Sequence, residues 1–166
     1  MLFRSVQDSG RLIGDMVPQI TYLSQAFHYF GGMADKIEGA VIPLDRKGYL
    51  NFTRHEPVGV VAALTPWNAP LLVTCMMIAP ALCAGCTVVL KPSEHTPLTT
   101  LFLAWLAAEI FPPGVLNVVT GRGDSVGQPL IDHPRVSMVA VTGSIATGEK
   151  VLQAASRSVR RTHLEL

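Results

Sequence analysis

Four short clusters carry side chains able to do chemistry: Thr65-Pro66-Trp67-Asn68, Lys91-Pro92-Ser93-Glu94, Thr142-Gly143-Ser144-Ile145-Ala146-Thr147, and Glu165. A lysine and a glutamate three apart in one turn can offer a donor and an acceptor to vicinal hydroxyls such as those of a ribose. A solvated turn is the plainer alternative. Asn68 beside Trp67 can supply an amide N–H to a developing oxyanion, or can serve as an ordinary helix cap. A Gly-Ser turn that opens a helix presents free backbone N–H groups and the positive end of a helix dipole to a phosphate, unless it is merely a strand-to-helix turn.

The nucleotide patterns that could sharpen the last cluster do not fit. A P-loop requires Lys and then Ser or Thr after Gly148, where the chain has Glu149, Lys150 and Val151. The three-glycine dinucleotide fingerprint lacks a member, with Gly143 and Gly148 alone in place. A Tyr-x-x-x-Lys pair is missing, because Tyr22, Tyr29 and Tyr49 are followed four residues on by Ala26, Met33 and Thr53. Cys83-x-x-Cys86 is a single pair without the second pair a zinc site needs, and the five histidines show no ligand spacing, so no metal is expected. Buried, inert thiols are the expectation for Cys75, Cys83 and Cys86.

The elements that would position these clusters follow a repeated grammar from residue 58 onward. Val58–Leu64, Thr87–Leu90, Val115–Val119, Val136–Val141 and Thr162–Leu166 are short runs, mostly continuous in apolar residues, separated by turn signals and helix-length segments. Alternating strands and helices imply right-handed crossovers and a parallel sheet covered on both faces. The fold class is therefore α/β, a doubly wound parallel sheet, and ligands belong beyond the carboxyl ends of its strands. No charge occurs between Glu56 and Lys91, and Leu71–Leu90 is long enough to span a bilayer. Pro57, Pro66, Pro70, Pro80 and Gly85 instead cut it into a strand, a buried helix over Leu71–Ala84 kinked at Pro80, and a second strand.

Residues 1–57 read differently. Helical spacing runs through Leu12–Phe30 and ends at Gly31-Gly32, and Asp35–Pro57 then reads as two extended runs around the turn Asp45-Arg46-Lys47-Gly48. Such a projecting hairpin usually needs a partner surface, which suggests oligomer contact. The division is thus 1–57, an N-terminal helix plus hairpin, and 58–166, the α/β domain.

Composition narrows the classes further. In 166 residues, 13 basic and 12 acidic side chains leave a net charge of +1, with 49% hydrophobic and 15% charged residues. This is a globular chain without the basic field that nucleic-acid or anionic-membrane binding needs. Three closely spaced cysteines and no signal-peptide core point to a reduced, cytoplasmic setting.

The four clusters, together with Phe111-Pro112-Pro113-Gly114-Val115-Leu116-Asn117 and Leu164-Glu165-Leu166, strongly resemble the aldehyde dehydrogenase superfamily in order and spacing over nearly the whole chain. Gly143–Gly148 and Arg161–Leu166 are most similar to the aminoaldehyde branch, such as γ-aminobutyraldehyde and betaine-aldehyde dehydrogenases. The resemblance implies a Rossmann-like domain and an enzyme that joins an aldehyde to a catalytic cysteine, passes hydride to NAD(P)+ and hydrolyses the thioester. It implies Asn68 for the oxyanion and Glu165 as general base for water. It also implies Lys91 and Glu94 on the adenosine ribose, with Pro92 and Ser93 in the same turn. Gly143, Ser144, Ile145, Ala146 and Thr147 would meet the pyrophosphate, and Thr65, Pro66 and Trp67 would line the cofactor channel. Glu94 would repel a 2′-phosphate, favouring NAD over NADP. A carboxylate ending an apolar strand would be partly desolvated, as a base at neutral pH requires. Family members are several hundred residues long, so the chain reads as an internal fragment, without the nucleophilic cysteine and silent alone. Its substrate would be a small-molecule aldehyde and its full-length form a homo-oligomer. The alternative is a truncated module that only binds cofactor or associates.

Overall fold

In the computed structural model, which describes residues 1–166, the strands β1 (Val60–Leu64), β2 (Thr87–Lys91), β3 (Leu116–Val118), β4 (Val136–Thr142) and β5 (Arg161–Glu165) form one sheet. Every pairing is parallel and the order is β3-β2-β1-β4-β5. The chain winds outward from β1 through β2 to β3, then returns to place β4 on the other flank of β1. The switch in winding therefore falls between β1 and β4, where a crevice opens at the carboxyl ends. The helices are α1 (Leu2–Ser9), α2 (Ile13–Met33), α3 (Pro70–Cys83), α4 (Leu98–Ala108), α5 (Gln128–Asp132) and α6 (Ile145–Ser156). A π-helical turn, Gly123–Gly127, runs directly into α5.

The strand pleat explains the two-sided core. Val61 and Ala63, with Val88, Leu90 and Ala140, pack against Val73, Met77 and Ile78 of α3. Ala62, with Val139 and Val141, faces the other way onto Ile131 of α5 and Val151 and Ala154 of α6. Each fully buried aliphatic side chain contributes about 1.5–3 kcal/mol. A further layer explains why α3 is apolar all round: Leu23 and Ala26 of α2 cover its outer side at Leu71, Cys75 and Ala79. Pro70 occupies the first turn of α3, and Gly85, at φ +76°, reverses the chain into β2. No helix is long and apolar enough to cross a membrane.

Several boundaries differ from the sequence reading. Helix α2 continues through Gly31-Gly32 to Met33, because packing of Phe27 and Phe30 near α3 outweighs the low helix propensity of glycine. Helix α1 was not anticipated; it docks on α2 and α4, where Asp8 accepts hydrogen bonds from the Thr99 amide and hydroxyl at 3.1 and 3.2 Å. The hairpin expected over Asp35–Pro57 reduces to one antiparallel bridge, Val41 to Phe52, flanked by the bonds Ile42 N–H to Asn51 O and Thr53 N–H to Ala40 O. A lone two-stranded ribbon is marginal in water, and Val41, Leu50 and Phe52 stand exposed. Strand β5 is not a continuous apolar run either. It is an edge strand whose Thr162 and Leu164 are half-buried, while Arg161, His163 and Glu165 are exposed.

Candidate functional site

The carboxyl ends of β1, β2, β4 and β5 border one cleft of about 630 Å³. Thr65, Pro66, Trp67, Asn68, Lys91, Ser93, Glu94, Gly143, Ser144, Thr147 and Glu165 line it. Of the candidate residues, Pro92, Ile145 and Ala146 are not among the lining groups; the Ile145 side chain points to solvent at 67% exposure. Leu64, Gly123, Val141, Thr142 and Leu166 complete the wall without having been assigned a role from sequence. Gly123 arrives from the π-helical turn, a geometry frequent at functional sites. Its position just after a strand was the available signal.

Lys91 stands at the carboxyl-end rim but is not solvated there. It is the last residue of β2 and only 5% exposed, paired to Leu64 across the sheet. Its Nζ donates to the Pro92 carbonyl at 3.1 Å and lies 3.6 Å from Glu94 Oε2. The Glu94 carboxyl is held below the usual carboxylate range chiefly by its own backbone N–H; burial opposes this, and the nearby Lys91 and His95 lower it further. An ionised pair of opposite sign therefore projects from one turn into the cleft.

The start of α6 forms the opposite wall. Ser144 is its N-cap, and its hydroxyl accepts the Thr147 N–H at 3.3 Å and lies 3.1 Å from the Thr147 hydroxyl. That hydroxyl is occupied by capping; the main-chain amides of Ile145 and Ala146 precede the first intrahelical bond, although neither residue lines the cleft. Thr65 lines the cleft with its hydroxyl buried and without a hydrogen-bond partner, as are the hydroxyls of Thr74, Thr96 and Thr100 away from the cleft.

Asn68 is exposed and does not cap α3, whose N-cap is Ala69 without a side-chain bond. Its carbonyl accepts from Arg11 Nε at 3.2 Å, which ties the turn to the segment between α1 and α2. Trp67 is also exposed. Parallel register sets Glu165 beside Thr142, whose hydroxyl donates to Glu165 Oε2 at 3.1 Å, and the Gly143 N–H donates to the Glu165 carbonyl at 3.0 Å. Within these 166 residues the Glu165 side chain is exposed, so the desolvation expected for it is not observed.

The three thiols lie elsewhere. None lines the cleft; Cys75 and Cys86 are buried, Cys83 is half-buried, and all are free. Burial pushes the Cys75 thiol up to about 11. No group of three or more His, Cys, Asp or Glu residues is placed to hold a metal ion.

Comparison with known proteins places this geometry in context. The chain is 54% identical over 144 residues, 86% of its length, to retinaldehyde dehydrogenase 3 of Rattus norvegicus, of which it covers 28%. It is 43% identical over 163 residues, 96% of its length, to betaine aldehyde dehydrogenase 1 of Oryza sativa subsp. japonica, of which it covers 32%. A betaine aldehyde dehydrogenase from Staphylococcus aureus, solved with NAD+, superposes with a TM-score of 0.96 at 38% identity, over 99% of this chain and 33% of that one. The chain thus spans about a third of the length of these relatives. Residues 4–166 match the family described as "Aldehyde dehydrogenase family", and the chain belongs to it.

Proposed function

We propose that this chain is the cofactor-binding portion of an enzyme that oxidises an aldehyde to a carboxylic acid with NAD+. The observation that carries the reading is the gathering of Asn68, Lys91, Glu94, Ser144 and Glu165 around one cleft at the switch point of the sheet. The buried, unpartnered Thr65 hydroxyl marks a wall that a polar ligand would complete. The Lys91 ammonium donates and the Glu94 carboxylate accepts, as the two hydroxyls of a ribose require. Amides at the start of α6 suit a diphosphate. Ionised Glu94 beside the ribose disfavours a 2′-phosphate, hence NAD over NADP.

Lys91, Glu94 and the start of α6 would hold NAD+, which would supply the hydride acceptor for the cysteine-bound aldehyde. The Asn68 side-chain amide would donate to the oxyanion without adding a titrating group. Glu165, with one oxygen oriented by the Thr142 hydroxyl, would take the proton of the hydrolytic water through the other. No thiol of this chain reaches the cleft, so the 166 residues alone are expected to bind cofactor and turn nothing over. The runs Gly143–Gly148 and Arg161–Leu166 make an aminoaldehyde the first substrate class to try. Residues 1–57 would serve assembly and 58–166 the cofactor, in a homo-oligomer of the reduced cytoplasm, a setting that suits three free thiols.

Titration calorimetry of the purified chain with NAD+ is the test. Saturable one-site binding by a compact species is the expected result, and an aggregating species indifferent to NAD+ would instead support a degenerate association module. In a longer protein containing this chain, Glu165→Gln and Asn68→Ala should each lower turnover by roughly 10² or more.

A further inference from the structure

The turn from Thr65 to Ala69 carries Asn68 from β1 into α3 and is held at its two ends. The Thr65 N–H donates to the Lys91 carbonyl at 3.1 Å, and the Ala69 carbonyl accepts from the Val73 N–H at 3.0 Å. Between those bonds, Pro66, Trp67 and Asn68 are fastened by a single hydrogen bond, from Arg11 Nε to the Asn68 carbonyl at 3.2 Å. The Asn68 side chain is exposed and has no partner of its own, so the direction of its amide is set by the backbone that carries it. Arg11 is a fixed post for that bond. Gly10 ends α1 in the left-handed region, at φ +67°, with its N–H on the Val6 carbonyl at 2.9 Å, a turn that a side chain disfavours. The helices on either side are docked: Asp8 of α1 holds the start of α4 through Thr99, and the Ser5 hydroxyl donates to the sulfur of buried Met16 in α2 at 3.2 Å. The Arg11 guanidinium forms no ion pair, which leaves it to the turn.

We propose that Arg11 is a positioning residue: its bond to the Asn68 carbonyl fixes the turn after β1 and so holds the Asn68 amide where an oxyanion would form. This rests on the oxyanion role proposed above for Asn68. Donors preorganised toward an oxyanion owe their effect to geometry, and a displacement of about 1 Å is costly there. Without the bond, nothing but the two ends fastens the turn, and the amide samples directions in which it does not donate. Arg11→Met keeps most of the stem and removes the donor. Arg11→Lys keeps a cationic donor long enough to reach the same carbonyl.

NMR relaxation of the backbone amides in the 166-residue chain reads the tether without any reaction. Trp67 and Asn68 should show order parameters of about 0.85 in the unaltered chain and in Arg11→Lys, falling toward about 0.6 in Arg11→Met, with β1 unchanged. In a longer protein containing this chain, Arg11→Met should lower kcat by about three- to tenfold, the population shift that loss of one exposed hydrogen bond allows, and leave KM for NAD+ within about twofold. Arg11→Lys should restore most of that loss. In an Asn68→Ala background, Arg11→Met should cost less than about twofold more, because the group it positions is gone. Unchanged order parameters in Arg11→Met, or an equal loss of kcat with and without the Asn68 amide, overturns the tether alone. Full turnover in Asn68→Ala overturns the oxyanion reading and this proposal with it.

Discussion

Lys91→Met removes the one buried ammonium of the cleft while keeping most of the volume of its stem, and its consequences for stability and for binding separate cleanly. At 3.6 Å, Nζ and Glu94 Oε2 are beyond hydrogen-bond range, so the pair is Coulombic. At an effective dielectric of 20 the gross attraction at such a distance is about 4 kcal/mol. The Glu94 side chain is 40% exposed, so solvent screens much of this, and the nearly buried ammonium has lost its hydration. The net worth of the pair falls to about 1 kcal/mol or less, and methionine keeps most of the apolar volume of the stem. The variant should therefore melt within a few degrees of the parent. Binding behaves otherwise, because the ammonium is then missing as a donor to the ribose and Glu94 stands alone as an acceptor. Loss of one charge-assisted bond costs about 1.5–3 kcal/mol, a fall in NAD+ affinity of about ten- to a hundredfold. Calorimetric titration paired with thermal unfolding reads both quantities. An NAD+ affinity unchanged within error in a well-folded Lys91→Met chain would refute the assignment of this side chain to the ribose.

Three further outcomes follow from the same structure. Glu94→Gln removes the negative charge facing the 2′ position and should narrow the NAD+ over NADP+ preference by about tenfold in paired titrations, and an unchanged ratio would dissociate Glu94 from cofactor choice. Because the Cys75 thiol is raised from 9.0 to about 11, its neutral form is favoured by folding; that stability is full below about pH 9 and is lost as pH rises toward 11. Cys75→Ala should flatten this alkaline limb in denaturant titrations, and at pH 8 peptide mass spectrometry should find Cys83 alkylated well before Cys75. Val159, at φ +50° and 94% exposed, packs on little and sits in a left-handed conformation that a β-branched residue disfavours. Val159→Asn should accordingly raise stability by about 1 kcal/mol, seen as a higher melting temperature, and a lower one would refute the strain argument.

How much was legible from sequence differs by element, for reasons the packing makes plain. The central strands were readable because β1, β2 and β4 are buried on both faces, and burial on both faces forces continuous apolar runs whose ends are marked by Gly and Pro. Their polar successors could be placed at one rim because parallel strands connected by helices all deliver their carboxyl ends to the same side. Short-range rules of that kind also located the ends of α3 at Pro70 and Gly85.

What depended on neighbours distant in the chain was not readable. The persistence of α2 past two glycines, the docking of α1 and the collapse of the expected ribbon to a single bridge are each settled by which surfaces lie alongside. Burial of Lys91 is likewise a consequence of sheet order, because β2 is an interior strand, and within these 166 residues Glu165 stands exposed. Local residue patterns therefore determined which side chains end each strand, since that is a matter of period and punctuation within a few residues. Only the tertiary structure decided which of them lie dry and which lie wet, because solvation is set by elements that approach from elsewhere in the chain.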